Sequence, residues 1–470
     1  MPHINSGDTA WVLASTALVL FMTPGLAFFY GGMVRVKNVL GMLMQNYVVI
    51  AIVSILWVFL TYTLAFGVDF GGHGIIGTFH FAGLAHMNQA VPGYSGATAQ
   101  TIPPLVFVIF QMMFAVITPA LITGSSADRL KFGAFVVFIV LWSIVVYAPV
   151  AHWVFSPTGW LAKRGAEDFA GGTVVHINAG AAGLAVAWVV GRRRGWPKEP
   201  MRPHSLPLVM LGAAILWFGW FGFNAGSALG ANQLAAQAFV NTNTATAAAL
   251  LAWIVVEKLR GGASTTLGAA SGAVAGLVAI TPACGFVNVV GATVIGVAAG
   301  SLCALAVSLK YRLGLDDALD VGGVHLVGGV IGALLIGLFG TSSVGGANGL
   351  LYGGGLTLLG HQALAVVAVG AFSFVVSAIL AKVIDLAMGL RVSPEAEMEG
   401  LDTSQHAESG YDMGLALSRG LAAMGLRPTT GPGPGAERPA GPAGSPAAGL
   451  ASEPLRATGV PPEAPVGGAT

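Results

Sequence analysis

The chain has 470 residues, is 55% hydrophobic and only 9% charged, and carries a formal net charge of +1. A soluble domain has about 25% charged residues, so composition excludes an ordinary soluble protein and points to a bilayer as solvent. The small net charge offers no strong field for nucleic acid or an acidic partner.

A membrane-spanning helix needs roughly 20 apolar residues. Eleven segments qualify, at 9–32, 41–68, 103–125, 132–155, 171–191, 206–223, 232–257, 265–281, 286–309, 322–340 and 357–389. The first has no basic stretch before it and is too long for the apolar part of a cleavable signal peptide. The seventh to ninth are the hardest to separate, because Gly and Ala dominate them.

Basic loop residues set the orientation. With the N-terminus outside, the inner loops hold Arg35, Lys37, Arg129, Lys131, Arg192, Arg193, Arg194, Lys198, Arg202, Lys258, Arg260, Lys310 and Arg312, and the outer loops only Lys163 and Arg164. That asymmetry is the positive-inside rule. It fits an odd number of spans, an external N-terminus and a cytoplasmic C-terminus. Five spans followed by five more enter the membrane with opposite sense, which gives an inverted pair of repeats. The predicted fold is therefore an all-α polytopic membrane protein: an inverted five-helix repeat plus an eleventh helix. The transport domain covers 1–389.

Past Leu390 the chain turns polar and acidic over 390–413. Ten prolines and nine glycines then fall between Pro428 and Thr470. Such composition predicts no fixed structure, so 414–470 is read as a low-complexity tail, with Met413–Leu426 a candidate amphipathic helix.

Two histidines sit deep in apolar spans, His176 in GGTVVHINAG and His325 in VGGVHLVGG. Ionisable residues inside a membrane mark function by default. One lies on the fifth span and one on the tenth, so they approach the midplane from opposite sides. A neutral pair sharing a hydrogen bond offers one donor and one acceptor nitrogen. That suits a small molecule that both gives and takes hydrogen bonds; two core histidines bonded to backbone carbonyls are the bland alternative. Asp168 lies eight residues before His176, and Asp320 five before His325. Each is expected chiefly to cap a helix start, with direct contact to a cation as the alternative.

Aromatic side chains form a second constellation: Phe107, Phe110 and Phe114 on the third span, and Trp217, Trp220, Phe221 and Phe223 on the sixth. Most such rings pack or anchor. Ring faces hold a cation for about 0.5–2 kcal/mol, whereas bringing an ion into dry hydrocarbon costs tens of kcal/mol before compensation. Rings can recruit an ion at a mouth but cannot replace its hydration. Either dipoles follow the ion or it loses its charge. Cys284 and Cys303 have neither metal-ligand spacing nor a disulfide framework and are read as packing residues.

At these positions the sequence resembles the ammonium transporter (Amt/Mep/Rh) family, Amt branch. The stretches that carry the resemblance are FMTPGLAFFYGGMVRVKNVL, FQMMFAVITPALITG, DFAGGTVVHINAG, WFGFNAGSA, AFVNTNTATAAA, TPACGFV, DVGGVHLVGG, GHQ at 360–362 and GLRVSPEAEMEGLDTSQHAESGYD. The resemblance implies that His176 and His325 are twin pore histidines, with Phe114 and Phe223 a stacked gate above them. It implies that Phe110 and Ser227 help hold ammonium at an outer site, and that Asp168 is the acid behind that site. Trp220 matches a pore-flanking aromatic and Thr281 a hydroxyl near the pore. One position departs: Phe155 stands where many members have Trp, which weakens the cation surface unless Trp153 or Trp160 substitutes. The resemblance further implies a homotrimer with one pore per subunit, and a segment at 390–413 that couples subunits and meets a PII-type signalling protein.

The expected function is ammonium or ammonia transport in a cell membrane, multi-pass and prokaryotic, with methylammonium as an analogue. No cofactor, metal or nucleic acid is expected. A sensor of the same fold, signalling through the tail, is the alternative. An enzyme built on the histidine pair is weaker, since no nucleophile motif and no nearby metal-completing ligand is visible. A carbon dioxide channel is a minor variant.

Overall fold

The computed structural model describes residues 4–95 and 100–411. The Pro/Gly-rich tail and the candidate helix Met413–Leu426 lie outside them. Among the described residues, ten helices are long and apolar enough to cross a membrane, and an eleventh apolar helix is shorter. In chain order they are α1 (Ser6–Met33), α2 (Val36–Phe66), α3 (Pro104–Ile122), α4 (Phe132–Val154), α5 (Gly172–Val190), α6 (Leu206–Gly226), α7 (Gln233–Gly261), α8 (Thr266–Ile280), α9 (Val289–Leu313), α10 (Gly322–Phe339) and α11 (Thr357–Met388). Each expected span is present. The ends that differ most lie in polar turns, where helix continues past the apolar run: α2 begins at Val36 and α7 ends at Gly261.

Glycine sets how closely these helices approach. A Cβ on Gly212 of α6 would lie 2.3 Å from the Phe29 nitrogen of α1, and one on Gly219 would lie 2.3 Å from Met22. One on Gly222 would strike Leu18, and one on Gly226 would strike Ser15. As numbers fall along α1 they rise along α6, so the two are antiparallel and in near backbone contact. Membrane helices associate by such close packing, because lipid gives them no hydrophobic drive. The same inversion relates α5 and α10. Gly172 faces Gly329, Gly180 faces Leu326, and Leu184 faces Gly322. First with sixth and fifth with tenth, in opposite senses, is the pairing an inverted five-helix repeat requires.

The short α8 is about 22 Å long at 1.5 Å per residue. Turns at 281–286 complete the crossing. Non-helical backbone at membrane depth survives only where protein satisfies its polar groups. Here the Asn241 amide of α7 donates to the carbonyls of Cys284 (2.8 Å) and Val287 (2.7 Å), and the Phe169 N–H donates to Pro282 (3.0 Å).

One face gathers the basic loops. Asp128 binds Arg35 (3.1 Å) and Arg193 (3.3 Å), and Arg193 also binds Asp316 (2.8 Å). The fully buried Arg129 donates to the carbonyls of Ser125, Ala127, Gly191 and Asp316; burial lowers its pKa to about 10. Two short helices past α11, α12 (Pro394–Glu399) and α13 (Leu401–His406), dock on this face. Glu397 takes Arg391 (2.6 Å) and the Arg194 N–H (2.8 Å), Asp402 takes the Gly41 N–H (2.8 Å), and the Leu401 N–H reaches Asn38 (2.8 Å). The segment after 390 is therefore folded onto the start of α2 and the loops before α4 and α6.

Candidate transport path

Both histidines sit on wide π-helical turns that open their helices. His176 lies in Gly172–Ile177 and His325 in Gly322–Leu326. Such turns free backbone groups and recur at functional sites. The antiparallel crossing of α5 and α10 brings the rings together: Nδ1 to Nδ1 is 3.3 Å, centroids are 5.4 Å apart and the planes are 22° from parallel. Both residues are buried. One Nδ1 must donate and the other accept, so of the two outward Nε2 atoms one accepts and one donates. His176 Nε2 has no hydrogen-bond partner among the described residues.

Rings continue from this pair in a branched series of contacts. Trp220 stacks on His176 at 5.4 Å, and Phe223 lies 6.2 Å from it. Phe223 meets Phe114 at 4.4 Å, tilted by 39°; Phe114 meets Phe110 at 5.0 Å and Phe155 at 5.9 Å, edge on. Phe110, Phe114 and Phe223 are fully buried. The hydroxyls beside this column have their protons committed. Ser227 donates to the Phe223 carbonyl (2.8 Å), and Thr281 donates to the Leu277 carbonyl (2.7 Å) while accepting from the Trp220 indole (2.8 Å). A hydroxyl whose proton is spent offers only lone pairs. Ser227 therefore suits a hydrogen-bond-donating cation rather than an anion.

Some of the expected aromatics belong elsewhere. Phe107 packs on Phe66 (5.0 Å) and Tyr94 (5.7 Å), and Phe221 stacks on Phe239 (4.0 Å). Trp153 packs on Trp160 and Phe372 and gives its indole N–H to Ile75. Of the aromatic residues in the Phe155 segment, it is the Phe155 ring that touches Phe114.

Asp168 is a helix anchor. Its two oxygens accept four backbone N–H groups, from Gly171, Gly172 and Thr173 at 2.7 Å and Val174 at 3.2 Å. Burial pushes its carboxyl up, and the four N–H donors oppose that. With its lone pairs committed, it fixes the turn that carries His176.

The expected cap role of Asp320 is not observed. Asp320 adopts a left-handed φ of 62° and pairs with Lys310 at 2.7 Å. The cap is Asp317, which accepts from the N–H groups of Val321 (3.2 Å) and Gly322 (2.7 Å). Asp317 precedes His325 by eight residues, the spacing of Asp168 to His176. That equal spacing was the sequence signal for it. Asn241 likewise stands out only once the break after α8 is seen.

Burial raises Asp320 to about 6; Lys310 opposes the shift and Asp317 adds to it. A carboxyl raised on folding contributes stability that is fully present below the unfolded value near 3.9 and lost as pH rises through about 6. Asp320→Asn is expected to remove that slope. In detergent, the wild-type unfolding midpoint should fall relative to the variant between about pH 4 and 6. Parallel curves would refute the assignment.

A buried column of rings leading to two hydrogen-bonding imidazoles, inside a helical bundle, marks a polytopic membrane protein with a polar centre in its interior. The sequence profile of the Ammonium Transporter Family matches residues 10–411. The chain belongs to this family and is a multi-pass membrane protein. It is 53% identical over 438 residues to a Mycobacterium tuberculosis (strain H37Rv) protein named ammonium transporter, covering 88% of this chain and 91% of the relative. It is 47% identical over 408 residues to the ammonium transporter Amt1 of Archaeoglobus fulgidus, covering 87% and 100%. Among solved structures, Saccharomyces cerevisiae Mep2 superposes with a TM-score of 0.78 at 36% identity, covering 84% of this chain and 89% of that one. A structure described as a sensor Amt protein also scores 0.78, at 30% identity, covering 85% and 98%.

Proposed function

We propose that this chain conducts ammonia derived from ammonium along the ring-lined column, with the histidine pair as its polar centre. The observation that carries this reading is the 3.3 Å Nδ1–Nδ1 contact, reached from the tilted pair Phe114 and Phe223 through His176. Phe110, Phe155 and the lone pairs of Ser227 hold ammonium at the mouth, while Asp168 acts from behind by holding the turn of α5. The ion sheds water against Phe114 and Phe223 and gives up a proton to the accepting Nε2 of the histidine pair, and the proton follows along that pair while the neutral molecule crosses. The neutral molecule then exchanges hydrogen bonds with the two outward Nε2 atoms. Potassium has no proton to lose and no hydrogen bond to donate, so it stops at the mouth. Trp220 and Thr281 support the wall opposite His176.

The assembly is taken as a homotrimer with one path per subunit. A PII-type signalling protein is the proposed partner on the basic face, taken as cytoplasmic.

Purified protein in liposomes tests the mechanism. Wild-type protein should give ammonium-evoked currents and methylammonium uptake. His176→Ala/His325→Ala should lower the current at least about a hundredfold, the lower end of the loss typical of a removed proton-transfer group. Undiminished current in that variant would take the pair off the proton route. The likeness to a sensor Amt structure favours a second reading, a receptor with little flux; absence of uptake by folded wild-type protein would establish it over the first.

A further inference from the structure

Away from the histidine column, a cavity of about 610 Å³ opens beside the C-terminal end of α5, lined among others by Ala187, Trp188, Arg192, Leu313 and Phe374. We propose that it binds one anionic phospholipid of the leaflet on the basic face, phosphate at Arg192 and acyl chain along Trp188 and Phe374.

The two ends of the cavity differ in chemistry. Trp188, on the last turns of α5, is 61% exposed, and its ring stacks on Phe374 of α11 at 6.3 Å. Together with Leu313 and Ala187 this gives an apolar shaft. At the other end, Arg192 is exposed; its Nε donates to the Gly314 carbonyl (2.8 Å), and its guanidinium lies 5.4 Å from the centre of the Trp196 ring. Trp196 in turn stacks flat on Tyr311 at 5.6 Å. The guanidinium is thus held in place by its Nε and its flat face. Its terminal nitrogens have no acceptor among the described residues, and they are the donors that bind phosphate oxygens in pairs.

The neighbouring charges leave Arg192 unopposed. Asp316 also lines the cavity, but Arg193 takes both of its oxygens, at 2.8 and 2.9 Å. Arg391, the next cation, is neutralised by Glu397 at 2.6 Å. A cation at the level of a Trp/Tyr belt, above an apolar slot between two membrane helices, matches the two ends of a phospholipid. A free phosphate would use Arg192 but leave the slot empty.

Brominated phospholipids quench tryptophan on contact, and Trp188 provides the reporter. Wild-type and Trp188→Phe proteins are reconstituted into vesicles containing brominated phosphatidylglycerol or brominated phosphatidylcholine, and the difference between them isolates Trp188. The anionic lipid is expected to half-quench Trp188 at about fivefold lower mole fraction, the worth of one arginine near a membrane surface. Arg192→Gln should remove that preference, and Arg192→Lys should keep most of it. Three results would overturn the proposal. The first is equal quenching by both lipids in wild type, or a preference that survives Arg192→Gln. The second is no quenching of Trp188 by either lipid, which would mean that another copy of the chain covers the cavity. The third is loss of the preference on adding millimolar inorganic phosphate, which would make it a site for free phosphate.

Discussion

Asp168→Ala is expected to abolish methylammonium uptake and to lower the thermal unfolding midpoint of the purified protein. The carboxylate accepts four backbone N–H groups at the start of α5. A hydrogen bond to a charged group is worth about 1.5–3 kcal/mol, and a stranded buried donor costs about 1–3 kcal/mol. Alanine strands all four, so the turn from Gly172 to Ile177 has no reason to hold its shape, and His176 moves with it. Asp168→Asn should be intermediate. Its single acceptor oxygen keeps some of the donors, while its NH₂ group faces the rest. Asp168→Ala with wild-type uptake would show that the turn does not need the acid. The same substitution at Asp317, which caps the opposing turn with two bonds, should do about half the damage, since half as many donors are stranded.

The second large effect is expected at the Arg193–Asp316 pair on the basic face. Both side chains are nearly inaccessible, at 4% and 0%. Burial alone would raise the Asp316 pKa, but the Arg193 hydrogen bonds, with Arg129 close by, hold it below the usual carboxylate range. Removing Arg193 leaves the buried Asp316 charge uncompensated, which costs about 3–5 kcal/mol, whereas removing Asp316 leaves Arg193 with Asp128 at 3.3 Å. Arg193→Met should therefore destabilise the protein by that order, Asp316→Ala by less, and the double variant by less than Arg193→Met alone. The pH dependence follows from the sign of the shift. A depressed carboxyl contributes stability above its unfolded value near 3.9, and loses it as pH falls through the lower folded value. Wild-type stability should therefore drop below about pH 4 more steeply than that of Asp316→Ala. Unfolding curves of the singles and the double at pH 7 and pH 3.5 check both points. Single variants indistinguishable from wild type would sink the claim.

The spans were legible because the bilayer fixes their length: an apolar run either crosses or does not. Thr266–Ile280, the shortest of the eleven, was readable because the turns after it stay apolar. The meeting of His176 and His325 also followed from the sequence, since opposite senses in two five-helix halves leave the fifth and tenth spans crossing. The choice between Asp317 and Asp320 depended on something no hydropathy pattern encodes. Asp320 takes a left-handed backbone that turns its carboxylate away from the helix, so the acid three residues earlier reaches the free N–H groups. The π-helical turns were hidden because a hydropathy pattern does not encode the extra residue that widens a turn. The aromatic residues divided by packing: Phe110, Phe114 and Phe223 line the column, while Phe107 and Phe221 on the same helices face other neighbours. The docking of the segment after 390 rests on single bonds between residues far apart in sequence, such as Asp402 to Gly41.

The antiparallel crossing of α5 and α10 has a thermodynamic corollary. On the conduction proposed above, each half of the bundle contributes an imidazole on an acid-anchored turn. A conduit of that kind is passive, so net direction would come from concentration and voltage. Whatever nitrogen it gathers stays inside only while metabolism consumes it, and a cell facing scarce supply outside would leak through the same opening unless something shuts it.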